Sequence, residues 1–466
     1  MSDTIANPPG ERELRGATLC QTLHWLASGR VDSARLTQVF VDAIAHTDPQ
    51  LRAYITPPQR DALLDVARAS DRRRQSGKPI GRLDGVPIAI KDNIDVAGLP
   101  TTCGLPGREV LADRDAHVVA RLRGAGALIL GKTNLDEGLG ATGKNPHYGN
   151  VHNPWRHGFS TGGSSSGAAA AVAAGLCTAA IGSDSLGSVR IPASYCGVYA
   201  LKTTPGEIST RGLWPAARRL DSIGLIARGV DDLGVLLHTL AGYDVQGPRS
   251  YRHELALPDW EPGKLRVGVL GDLASWGCDP GVAAVFARTL ATLEHELPNS
   301  HIVDFADFSI PRARRAALFL IEAEMLGNYA TELGNAKHPI SLQLNALLDY
   351  ARGKSAADYA AADRVLDAAV LKARRLFAEV DVLVTPTTLQ AAFAHDAPVP
   401  ATQADFTCFA NLAGCPALSL PMGLADAGLP VGLQLLGPPG SDLCLLELAE
   451  VCAAALDATP AYPIGE

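Results

Sequence analysis

The sequence has no apolar run long enough to cross a membrane. Its longest, Ala168 to Ile181, falls short of the ~20 residues a span needs, and its Ala and Gly content predicts a buried helix. It has no apolar signal core near its start, where MSDTIANPPGERELRG is polar, so export is not expected. It has no C-x-x-C pair among nine scattered cysteines, and nine is an odd number. That pattern predicts a reduced, cytoplasmic protein with buried structural thiols rather than a disulfide frame. It has no dense Lys/Arg stripe, and the net charge is −8. Neither nucleic acid nor an anionic membrane is therefore an expected partner.

What is present is ordinary globular composition, 47% apolar and 19% charged over 466 residues, enough to bury a large core. Length alone would suggest roughly three domains at about 150 residues each. The first 75 residues read as a helical segment packed on that core. Ser33 is a candidate N-cap, followed by Leu36, Val39, Phe40, Ala43 and Ile44 at helical spacing. A second helix is predicted over 61–74. From residue 83 the pattern becomes strands alternating with helices. GVPIAIKD, ALILGK, KLRVGVLGD, HIVDFAD and DVLVTP read as strands; HVVARLRGAG and residues 356–379 read as helices. Alternation of this kind predicts an α/β sheet covered on both faces. The Pro- and Gly-rich stretch 241–263 is the expected connection to a smaller helical lobe at about 245–375.

Chemistry concentrates between Ser160 and Pro205, where glycines and serines cluster at both ends of an Ala-rich segment. Glycine admits close backbone approach, and hydroxyls beside a helix N-terminus suit developing negative charge. The plain alternative is a pair of loops capping a buried helix. Three rival motifs are weaker. Gly163 to Gly167 matches the G-x-S-x-G elbow with Ser165 as nucleophile, but WRHGFSTG before it is not a buried strand. Gly138 to Gly143 matches G-x-G-x-x-G without a strand before it or a helix after it. His147, His152 and His157 recur every five residues, a spacing that does not align ligands on a helix face, so no metal is expected. Lys91, directly after the apolar strand GVPIAI, remains as a base if burial leaves it neutral; otherwise it is a solvated strand end.

Several long segments, in order over roughly residues 30 to 450, resemble the amidase-signature family. DGVPIAIKDNIDVAGLPTTCG is similar to that family's segment around its catalytic lysine. GGSSSGAAAAVAAG resembles its Gly-Gly-Ser-Ser-Gly block, and GSDSLGSVRIPASYCGVYALKTT the block holding its nucleophile. FANLAGCPALSLPMG and GLPVGLQLLG also look like family segments. The resemblance implies a single large α/β/α domain over 76–466, with a mixed central sheet flanked by helices. It implies Lys91 as base, Ser164 as relay and Ser188 as nucleophile, with a cis peptide between Gly163 and Ser164. The backbone N–H groups of Ser185, Leu186, Gly187 and Ser188 would form the oxyanion hole. Gly163, Ser165, Asp184 and Arg190 would support the loops. No metal or cofactor is implied.

Leu186 departs from the family, which has Gly-Gly before the nucleophile in most members. Its backbone is expected to keep a conformation that L-residues accept, and its side chain either packs behind the loop or narrows the acyl pocket. The expected function is hydrolysis of a small-molecule carboxamide through an acyl-enzyme. The alternatives are a glutaminase component of a tRNA-dependent amidotransferase, or an allophanate- or biuret-type ureido hydrolase. The ureido alternative is weakened because residues 316–331 carry no arginine for a substrate carboxylate. A homodimer is compatible with all of these readings.

Overall fold

The strand-like apolar segments of the sequence enter one mixed sheet of eleven strands. The computed structural model describes residues 8–138, 140–251, 261–425, 428–457 and 461–465. The strands are β1 (Tyr54–Thr56), β2 (Pro87–Lys91), β3 (Leu128–Thr133), β4 (Ala179–Asp184), β5 (Tyr199–Lys202) and β6 (Ser222–Ala227). They continue with β7 (Val267–Leu270), β8 (Ser300–Val303), β9 (Val382–Pro386), β10 (Ala417–Leu424) and β11 (Pro430–Leu436). Their spatial order is β1-β3-β2-β4-β6-β5-β10-β11-β9-β7-β8. β2 runs parallel to both β3 and β4, and β7 parallel to β8 and β9. The middle of the sheet is antiparallel. Ile88, Ala89 and Ile90 of β2 and Ala179, Ala180 and Ile181 of β4 are fully buried. Continuous apolar runs of this kind belong to strands covered on both faces, and helices flank the sheet as expected.

The helices at 33–51, 60–75 and 356–379 lie where periodicity puts them. The first is capped one residue earlier than expected: Asp32, not Ser33, accepts the Arg35 N–H at 2.6 Å. The apolar run from Ala168 to Ile181 is not one helix. A helix covers Ser166–Ala173, Gly175 turns with φ +65, and β4 begins at Ala179. Residues 8–75 hold four helices and one short strand, β1, which pairs with β3. Within 245–375, strands β7 and β8 extend the main sheet through β9, and the helices at 310–328, 342–352 and 356–379 pack mainly on one another. Much of the connection at 241–263 lies outside the described residues. All nine cysteines are free, and eight are buried. Among the described residues, no helix is long and apolar enough to cross a membrane.

What matters for function is one edge of this sheet. Parallel β2 and β4 end there at Lys91 and Asp184, and antiparallel β6 begins there at Ser222, paired with Asp184. Carboxyl ends of parallel strands are where open α/β sheets hold their ligands.

Candidate active site

Lys91 is completely buried at the end of β2. Its ammonium nitrogen Nζ donates to Ser164 Oγ at 2.7 Å, to Ser183 Oγ at 3.0 Å and to the Ser183 carbonyl at 3.4 Å. Asn93 Nδ2 also donates to Ser183 Oγ, at 3.1 Å. Lys132, equally buried on β3, instead lies 3.4 Å from the Asp92 carboxylate. With hydroxyls and a carbonyl rather than a carboxylate in contact, burial pulls the Lys91 amine down to about 7, against the more distant pull of Asp136, Asp184 and Asp221. An amine that is half neutral at that pH can accept a proton.

The loop before the Ser166–Ala173 helix brings Ser164 to this lysine. The Gly163–Ser164 peptide is cis. A Cβ on Gly163 would run into Asp136 Oδ1, so the position admits glycine alone. Asp136 itself accepts from the Thr142 N–H and hydroxyl and from the Gly143 N–H, at 2.7, 2.8 and 3.0 Å. Two amides of the G-x-G-x-x-G-like segment are thereby committed to a carboxylate rather than to a phosphate. Ser165 is buried; its N–H donates to the Ser188 carbonyl (3.0 Å) and its hydroxyl to the Ser183 carbonyl (3.2 Å). Those bonds tie the Ser164 loop to the Ser188 loop. The two-stranded hairpin before it, not a strand of the main sheet, removes the elbow reading of Ser165.

Between Ser160 and Thr203, Ser188 is the one residue that is not buried. Its loop is held by Asp184, which accepts from the Gly187 N–H (2.7 Å), the Val189 N–H (3.2 Å), Arg190 Nε and Nη2 (both 3.0 Å) and Asn411 Nδ2 (2.9 Å). Burial alone would push the Asp184 carboxyl up; the Arg190 guanidinium overrides it and holds it down to about 2. Arg190 is completed by the Thr407 carbonyl, Gln434 and Asn411.

The Gly187 N–H, one of the expected oxyanion donors, donates instead to Asp184. Gly187 has φ +126, and a Cβ there would collide with Thr407 Oγ1. Leu186 is absent from the positive-φ residues, is 7% exposed and packs in the core; its carbonyl accepts the Thr407 hydroxyl at 2.6 Å.

Of the spaced histidines, His147 pairs with Glu137 at 2.9 Å, while His152 and His157 stack face to face at 3.9 Å. Stacked rings do not converge their nitrogens on one centre. Ser183 and Asn93 escaped the sequence reading although each lies within two residues of a chosen one. Asp221 escaped it too, and only the β4–β6 register brings it in.

Family and structural neighbours make the chain a hydrolase of carbon–nitrogen bonds. More particularly, the chain belongs to the Amidase family, whose model matches residues 35–446. It is 36% identical to a component of the Glutamyl-tRNA(Gln) amidotransferase of Moorella thermoacetica, over 90% of this chain and 92% of that one. Native peptide amidase from Stenotrophomonas maltophilia superposes with a TM-score of 0.81 at 29% identity, covering 96% and 98% of the two chains. A structure from a vestigial protein complex, solved in tracing the origins of an s-triazine catabolic enzyme, superposes at 0.86 with 29% identity, covering 94% and 98%.

Proposed function

We propose that the chain is an amidase that hydrolyses a small-molecule carboxamide through a Ser188 acyl-enzyme, with Lys91 as base and Ser164 as relay. The observation that carries this reading is a fully buried lysine, its amine lowered by burial to about 7, bonded to Ser164 beside a loop in which Ser188 alone is not buried.

Neutral Lys91 takes the Ser164 hydroxyl proton while Ser164 takes that of Ser188, and Ser188 Oγ attacks the amide carbonyl carbon. The resulting oxyanion is met by the N–H groups of Ser185, Leu186 and Ser188, each such donor typically contributing about 3–4 kcal/mol. As the C–N bond breaks, the proton returns through Ser164 to the leaving nitrogen. Water then attacks the acyl carbon, and the relay runs once more to free Ser188. No metal or cofactor takes part.

A fluorophosphonate is expected to label Ser188, and Ser188→Ala to abolish both labelling and turnover with the fold intact. Labelling at Ser165, or activity lost to a chelator and restored by zinc, would overturn the scheme. A second reading is favoured by the amidotransferase relatives: the chain acts as a glutaminase-type component within an assembly. Hydrolysis of simple amides by the purified chain, without co-purifying partners, separates the two.

A further inference from the structure

One carboxylate at this edge has no task in the hydrolytic scheme. Asp184 pairs with Ser222 across β4 and β6, so Asp221 stands just beyond the strand end, opposite Ser185. It is 6% exposed and accepts the Ser185 hydroxyl at 2.5 Å, the Ala216 N–H at 3.0 Å and the Ala217 N–H at 3.4 Å. All three donors are neutral. A buried carboxylate held by neutral donors alone costs stability that an apolar side chain would not, so a purpose beyond packing is called for.

We propose that Asp221 is a positioning residue for the oxyanion loop, holding Ser185 by its hydroxyl so that the N–H groups of Ser185 and Leu186 stay aimed at the carbonyl attacked by Ser188. It acts through Ser185 and does not touch substrate. The loop is then gripped at two points, by Asp221 at the Ser185 side chain and by Asp184 at the Gly187 N–H. Donors fixed before the reaction need no reorganisation as charge develops, which is where their catalytic value lies. An ionised acceptor grips a hydroxyl more tightly than a neutral one, so the charge itself matters.

Asp221 faces Ser185 from the loop after β4, Lys91 from β2, and Glu324 and Tyr329 from the helical side. Burial, with Glu324 adding to it, raises its carboxyl to about 7 against its hydrogen bonds. Two groups must then shed a proton for the site to work, Lys91 to accept and Asp221 to grip. The acid limb of log kcat/KM should steepen toward a two-proton slope, since that limb reports the free enzyme's essential groups.

The inference rests on the roles proposed for Ser188 and Lys91. The test measures kcat and KM against pH, with urea unfolding, for wild type, Asp221→Asn, Ser185→Ala and the double variant. Asp221→Asn should lower kcat by about 10- to 100-fold with KM little changed. Its acid limb should fall to a one-proton slope and move to lower pH, because Lys91 loses a nearby negative charge. Ser185→Ala should act in the same direction, and the double variant should be no slower than Asp221→Asn, since both break one link. A folded Asp221→Asn enzyme with wild-type kcat, a retained two-proton slope, or multiplicative losses in the double variant would overturn the proposal. If Asp221→Asn does not fold, an unchanged kcat in Ser185→Ala overturns it, and a lowered kcat at unchanged KM supports it. Full activity in Ser188→Ala would instead bring down the hydrolytic reading and this inference with it. Ser188 labelling retained beside an indifferent Asp221→Asn brings down the inference alone.

Discussion

Asp184 and Asp221 hold the same loop at two points, both buried, yet near neutrality Asp184 is a fixed carboxylate while Asp221 is poised to titrate. Burial raises both carboxyls. Asp184 has a full guanidinium against it and is held at about 2; Asp221 has a hydroxyl and two amides and rises to about 7. The charge of the partner, not the depth of burial, decides the sign. β2 and β3 give their buried lysines different neighbours, Asp92 for Lys132 and hydroxyls for Lys91. One side of the candidate site is therefore an ion-paired scaffold, and the other carries two groups that burial brings to about 7.

The largest expected effect falls on the titrating side. Lys91→Met should lower kcat/KM by at least about 10³-fold, the scale of losing a general base whose partners act as a unit. The folded protein should be no less stable at pH 8. Lys91 is lowered on folding from its ordinary value of 10.5 to about 7, so between these values the unfolded chain binds more protons. Wild-type stability from this group thus rises with pH across that window, and the change in stability between pH 7 and pH 9, followed by urea unfolding, should be less positive in Lys91→Met than in wild type. A large loss of stability in this variant would make Lys91 scaffold and erase the distinction.

Next in size is the scaffold side. Arg190→Leu leaves Asp184 buried and unpaired and should cost about 3–5 kcal/mol in urea unfolding, the usual penalty for breaking a buried pair. Asp184 is lowered on folding, so its contribution is present above its unfolded value near 4 and is lost as pH falls through about 2. The Arg190→Leu penalty should therefore shrink in acid. A variant of wild-type stability and reduced kcat would place Arg190 with the chemistry instead.

How much of this is legible in the sequence follows from how local each signal is. The Ala356–Glu379 helix is readable to the residue because its apolar positions recur over many turns between polar faces. The run from Ala168 to Ile181 reads as a single helix, wrongly, because it is buried on every side, and periodicity vanishes where no face meets water. Lys91, Ser164 and Ser188 stand out through long segments resembling a family. Arg190's partners beyond Asp184, by contrast, are Thr407, Asn411 and Gln434, more than two hundred residues away, and no spacing rule links them. Asp221 becomes visible only through strand register.

The smallest effect is predicted two residues from Asp221. Arg219 makes two ion pairs, to Asp363 at 2.5 Å and to Asp367, tying the Asp221 loop to the 356–379 helix. A count of charges would rank it above Asp221, which has no cationic partner among its hydrogen bonds. Exposure reverses the order. The Arg219 side chain is 33% exposed and its partners 39% and 62%, so water and salt screen both pairs. Arg219→Gln should change stability by less than about 1 kcal/mol, and by still less at high salt. Its kcat should stay near wild type, because the grip on Ser185 comes from Asp221 and the amides of Ala216 and Ala217, all buried. The measurement is urea unfolding at low and high salt beside kcat for one amide. A loss of kcat as deep as that of Asp221→Asn would mean that the helix, through Arg219, sets the loop's position, and the buried carboxylate would lose its special place in the comparison.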